Sequence, residues 1–142
     1  MDTHRSTDEA CAEHGAFRRR AIAALDQAVA GDLPGARLAV LDLQVHYGHL
    51  TEALLVWADT VIGRTPPAQH PALLTPPDNA ADDPVAAWAV KVITARLTND
   101  KEAFATLRLS VPRRREAVEA HAMGLLKVIT DHLRAGEAGS AR

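Results

Sequence analysis

The residues most able to do chemistry in this chain are one cysteine and seven histidines: Cys11, His4, His14, His46, His49, His70, His121 and His132. A metal ion needs its ligands to converge within a few ångströms. His121 and His132 fall on one expected helix, where a rise of ~1.5 Å per residue sets them about 16 Å apart, too far to share an ion. His46 and His49 are closer, on either side of Gly48. Asp42 stands one helical turn before His46, and Glu52 stands three residues after His49. Asp42, His46, His49 and Glu52 are the densest ligand-capable group in the chain, and a carboxylate–imidazole mixture suits zinc or iron. Neither HExxH nor the paired Glu-x-x-His of carboxylate di-iron bundles is present. The plainer reading makes both histidines capping and surface residues. Cys11 and His14 share a helix face at i, i+3, the spacing of a thiol and its base. They belong to a polar N-terminal stretch, where an incidental cysteine is expected. The chain has no P-loop, G-x-G-x-x-G or G-x-S-x-G, so no cofactor is expected.

Two arginine triplets offer a different chemistry, Arg18-Arg19-Arg20 and Arg113-Arg114-Arg115. Three consecutive helical residues spread over ~200° of circumference and cannot all meet one partner. The second triplet is expected in the first turn of the last helix, where cations oppose the helix dipole. Exposed N–H groups and guanidinium forks together would make an anion site. Arg113, Arg114 and Arg115 are thus a candidate docking patch for a phosphate-bearing ligand or an acidic protein surface. The competing expectation is that Glu116 and Glu119 neutralise Arg113 and Arg115 at i, i+3 and i, i+4. Nucleic acid is not expected as a partner. Sixteen basic residues face eighteen acidic ones, for a net charge of −2, whereas nucleic-acid binders are normally basic. Of the few aromatics, Phe17, Trp57 and Trp88 lie on apolar stripes and not on stacking platforms.

The elements that must position these groups read as helices. Alanine supplies 28 of 142 residues while β-branched and aromatic residues are thin, which favours helix over sheet. A first helix is expected from Thr7, with Gly15 a candidate interruption and Phe17, Ala21, Leu25, Ala28 and Val29 on one face. Gly31-Asp32 should stop it and cap the next helix, with Pro34 in the first turn. That second helix, 33–47, carries two apolar stripes: Leu38, Leu41 and Val45 on one side, and Leu33, Ala36, Val40, Leu43 and Tyr47 on the other. A helix apolar on two faces is either sandwiched in a bundle or covered by a partner. A third helix is expected over 49–62, with Gly63 as its stop. Residues 64–83 hold five of the eight prolines and read as a connector, partly extended, pinned by Leu73-Leu74. Asp82-Asp83-Pro84 starts a fourth helix to Leu97. Asn99-Asp100 separates it from a fifth, 101–109, and Ser110-Val111-Pro112 precedes a sixth, 113–134. The tail 135–142 is expected to fray.

The expected architecture is therefore all-α: one domain, 1–142, built as an irregular bundle of five to six helices. Two three-helix units, 7–63 and 84–134, are related candidates because Gly31-Asp32 and Asn99-Asp100 punctuate both alike and Lys-Val-Ile-Thr occurs at 91–94 and 127–130. The longest apolar runs are six residues, against about twenty for a membrane span. One cysteine excludes an internal disulfide, and the polar N-terminus lacks the apolar core of a secretory signal, so the expected location is the cytoplasm. The expected function is a non-enzymatic protein–protein interaction module, an adaptor or regulatory subunit, with a protein partner or a second copy as a homodimer. Its expected contacts are Leu33, Val40, Leu43 and Tyr47, with the Arg113–Arg115 patch. The alternative is a small-molecule or metal-binding helical protein, or a small enzyme. Its pocket would lie near Asp42, His46 and His49, walled by Trp57 or Trp88, with residues 64–83 as a lid.

Overall fold

The computed structural model describes the backbone of residues 2–47, 50–75 and 82–140, and the side chains of 15–45, 50, 52–75 and 82–135. The described elements are seven α-helices and one 3₁₀ turn: α1 (Asp2–Val29), α2 (Leu33–Tyr47), α3 (Thr51–Arg64), the 3₁₀ turn (Pro67–Gln69), α4 (His70–Leu73), α5 (Pro84–Leu97), α6 (Lys101–Ser110) and α7 (Arg115–Ser140). The seventh helix is α4, a single turn within the proline-rich stretch. Proline fits the first turn of a helix because its missing donor would have no partner there, so the connector coils where an extended run was expected. Leu73 pins it to the body and is buried, whereas Leu74 is exposed. Other boundaries move as well. α1 starts at Asp2, ahead of the expected Thr7, and passes through Gly15; α3 runs from Thr51 past Gly63 to Arg64; and α7 runs from Arg115 to Ser140. Among the described residues no helix is long and apolar enough to cross a membrane.

Start and stop chemistry follows local rules. Asp32 accepts from the Gly35 N–H at 2.9 Å at the head of α2. Asp83 accepts from Val85 and Ala86, both at 3.1 Å, at the head of α5. Asp100 accepts from Ala103 at 3.0 Å at the head of α6. Each bond satisfies an N–H that lacks a partner within its own helix. Gly31 ends α1 with φ 92° and Asn99 follows α5 with φ 55°, both left-handed conformations that suit Gly and Asn. Substituting Asp83 by alanine should cost about 1 kcal/mol. That corresponds to a drop of about 3 °C in the melting midpoint, readable by circular dichroism at 222 nm.

Helix α1 packs against α2, α3 and α7, α3 against α5 and α7, and α5 against α6 and α7. The core they enclose includes Leu25, Leu43, Trp57, Ile93, Leu125 and Ile129. Many of its contact faces are alanine: Ala21, Ala24 and Ala28 of α1 and Ala36 of α2 are fully buried. Small side chains let helix axes approach closely, which is how six helices of modest bulk fill their interior. Two tryptophans tie the layers. Trp57 Nε1 donates to the Ala21 carbonyl at 2.8 Å, linking α3 to α1. Trp88 Nε1 donates to the Leu107 carbonyl at 2.9 Å, linking α5 to α6. On the surface Arg96 grips both oxygens of Asp59 at 2.9 Å, joining α5 to α3. At the far end of the bundle, Arg134 of α7 donates from Nε and a terminal nitrogen to the Val29 carbonyl, at 3.2 and 3.1 Å.

Candidate functional site

The two apolar stripes of α2 have different fates. Ala36, Val40 and Leu43 face the core and are fully buried. Val40 and Leu43 are therefore core residues of this chain, and their expected place on a contact surface is corrected. Leu33 is 46% exposed, and the opposite stripe is barer still: Leu38 is 68% and Val45 72% exposed. The Tyr47 side chain lies outside the described residues. Pro34, Leu38, Leu41 and Val45 follow the 4-3-4 spacing that presents one apolar seam to a neighbouring helix. Leu33, Leu38 and Leu41 also form one wall of an open groove of about 890 Å³, with Ala120 and Met123 of α7 opposite. Arg37 and Glu119 pair across this groove, and Arg20 pairs with Asp42 at 3.5 Å beside the seam.

The second arginine triplet also lies differently from its expected place. Arg113 and Arg114 precede α7, and only Arg115 is in its first turn. Arg114 holds the cap position, its carbonyl accepting from the Val118 N–H at 3.0 Å. Where α5 and α6 have an aspartate, α7 thus has an arginine, and among the described residues no side chain hydrogen-bonds to its first N–H groups. The expected neutralisation does not form either: Glu119 turns to Arg37. Among the described residues Arg108, Arg113 and Arg115 make no ion pair.

These three arginines border a half-open cleft of about 590 Å³. Four chain segments converge on it: the end of α2, the start of α3, the end of α6 and the start of α7. Leu50, Leu54, Leu109, Val118 and Ala122 supply apolar wall. Leu109, at the mouth, is 67% exposed. His121 projects from α7 with its Nδ1 2.6 Å from the Ala117 carbonyl. A carbonyl only accepts, so Nδ1 carries a proton. The ring meets Trp88 in an edge-to-face contact, 4.8 Å between centroids. Gln44 also borders the cleft. Its Oε1 is sealed from solvent and has no hydrogen-bond partner among the described residues.

The Asp42–His46–His49–Glu52 group lies partly outside the described residues, which exclude His49 and the His46 side chain; the side chains of Cys11 and His14 are likewise outside them. Asp42 and Glu52 line neither the arginine-bordered cleft nor the groove beside α2. Among the described residues no three His, Cys, Asp or Glu side chains are grouped to hold a metal. Trp57 and Trp88 are buried core residues; the pocket they were expected to wall lies partly outside the described residues. The proline-rich segment borders a separate cleft of about 270 Å³, where Leu73 and Thr75 approach Lys127, Asp131 and His132. Burial holds His132 below the usual imidazole range. Sequence reasoning did not place Gln44, Arg108 or His121 at a site, and nothing in their spacing marks them. No protein-family model, curated protein or solved structure matches this chain.

Proposed function

We propose that this protein is a non-enzymatic interaction module that associates through the outer face of α2, and that the face is covered by α2 of a second copy. The observation that carries the reading is the seam formed by exposed Leu38 and Val45 with half-buried Leu41 between them, extended by exposed Leu33 and Pro34, on a helix whose opposite side is already spent on the core. Large apolar side chains grouped on one exposed face mark interaction sites more often than singly scattered ones do. The charges beside the seam favour an identical partner. Arg37 is satisfied by Glu119 and Arg20 approaches Asp42, so the rim selects neither an acidic nor a basic surface. A twofold pairing needs only a self-complementary patch, which an apolar seam supplies. The two-unit organisation, 7–63 and 84–134, belongs to the same proposal. Gly31 and Asn99 end the first helix of each half in the same left-handed conformation, and Asp32 and Asp100 cap the helix that follows.

Light scattering on a sizing column, across a concentration series reaching the high micromolar range, tests the association. The expected result is a dimer whose dissociation constant rises about 1,000-fold in Leu38→Asp, because both chains then lose the burial of a leucine, each worth about 2 kcal/mol. The melting midpoint of the isolated subunit should barely move, since Leu38 is outside the core. A strictly monomeric protein overturns the proposal, as does a dimer indifferent to both Leu38→Asp and Val45→Asp.

A further inference from the structure

We infer that the cleft at the start of α7 is a binding site for a small organic phosphate monoester, a ligand with a dianionic head on an apolar body. This site is separate from the α2 seam and does not depend on it. Two observations converge. Arg108 of α6, Arg113 of the loop before α7 and Arg115 of α7 line one cleft, and none of them forms an ion pair among the described residues. Unbalanced guanidinium groups gathered at one place repel one another, and a dianion relieves that repulsion through charge-assisted hydrogen bonds. The α7 start adds N–H groups that no side chain caps, with the positive end of a helix dipole behind them, where an arginine at the first position is locally unfavourable.

The rest of the cleft fits the remainder of such a ligand. Leu50, Leu54 and Val118 offer apolar surface inside, and Leu109 is left bare at the mouth. A volume of about 590 Å³ lies within the range of roughly 300–1,000 Å³ typical of small-molecule sites. His121, fixed through Nδ1 on its own helix, offers Nε2 as a further hydrogen-bonding atom within the same cleft.

Calorimetric titration of the full chain with phenyl phosphate, inorganic phosphate, benzoate and phenol tests the assignment. Phenyl phosphate should bind once per chain and about 10-fold tighter than inorganic phosphate, through burial of the ring. Its affinity should fall as salt rises. The double variant Arg113→Ala/Arg115→Ala should weaken it about 30-fold or more. Removing cations from the positive end of a helix does not destabilise the helix, so an unchanged melting curve will separate lost binding from lost folding. The His121 ring resonances should shift on titration of the wild type. Equal affinity for phenyl and inorganic phosphate, indifference to the arginine variant, or benzoate binding as tightly as phenyl phosphate would each overturn the assignment. So would a phosphotyrosine peptide binding far tighter than phenyl phosphate, which would make the cleft a peptide-docking surface.

Discussion

Trp57→Ala is expected to lower the stability of this protein by about 3–5 kcal/mol. Trp57 is among the largest fully buried side chains, and its Nε1 bond to the Ala21 carbonyl fixes α3 against α1. Truncation leaves a cavity between helices that meet through alanines, and alanine has no rotamers with which to fill it. The melting midpoint should fall by about 10–20 °C, read by circular dichroism with a single cooperative transition retained. Trp57→Phe separates the two contributions: it keeps most of the bulk and removes the donor, so a loss nearer about 1–2 kcal/mol is expected. A midpoint for Trp57→Ala within a few degrees of the wild type would mean that α1 and α3 do not pack as described.

Gly124 is the second position with a large expected effect. It lies on α7 where that helix crosses α5, and a methyl built there would run into Val85 Cγ1 and stand 3.5 Å from Val85 Cβ. Helix propensity favours alanine over glycine by about 1 kcal/mol. Valine, however, is stiff at χ1 within a helix and cannot swing clear. Overpacking of about 1–3 kcal/mol should therefore outweigh the propensity gain. Gly124→Ala is expected to be mildly destabilising and Gly124→Val to cost about 2–3 kcal/mol. Combining Gly124→Ala with Val85→Ala should recover much of the loss, and the double-mutant cycle measures the coupling directly. A stabilised Gly124→Ala protein would show that α5 and α7 stand farther apart.

The elements themselves were largely legible from residues. Pro34 after Asp32, and Pro84 after Asp83, mark the starts of α2 and α5, whose ranges are those expected from the spacing. Punctuation of this kind is local chemistry, carried by caps and missing donors, and it survives packing. The inward face of α2 was not legible. Both stripes are apolar, and periodicity cannot rank them. The face with Ala36 is the one that admits the alanine-lined side of α1, a choice made by side-chain size and not by hydrophobicity. The cleft could not be read at all. It joins Gln44 to His121 through four chain segments, and nothing in residue spacing brings those segments together. The arginine patch was visible as a conflict with the helix dipole, although its position shifted by two residues and its expected glutamate partner turned elsewhere.

The grip of Arg134 on the Val29 carbonyl joins segments 105 residues apart. The apolar face of α1, with Ala21, Leu25 and Ala28, is shared among α2, α3 and α7. The pairing of α1 with α2 therefore needs only the residues up to 47, whereas the part of α1 that faces α7 is covered only when the last helix docks. Until it docks, that part is bare apolar surface of the kind that makes an incomplete chain prone to aggregate.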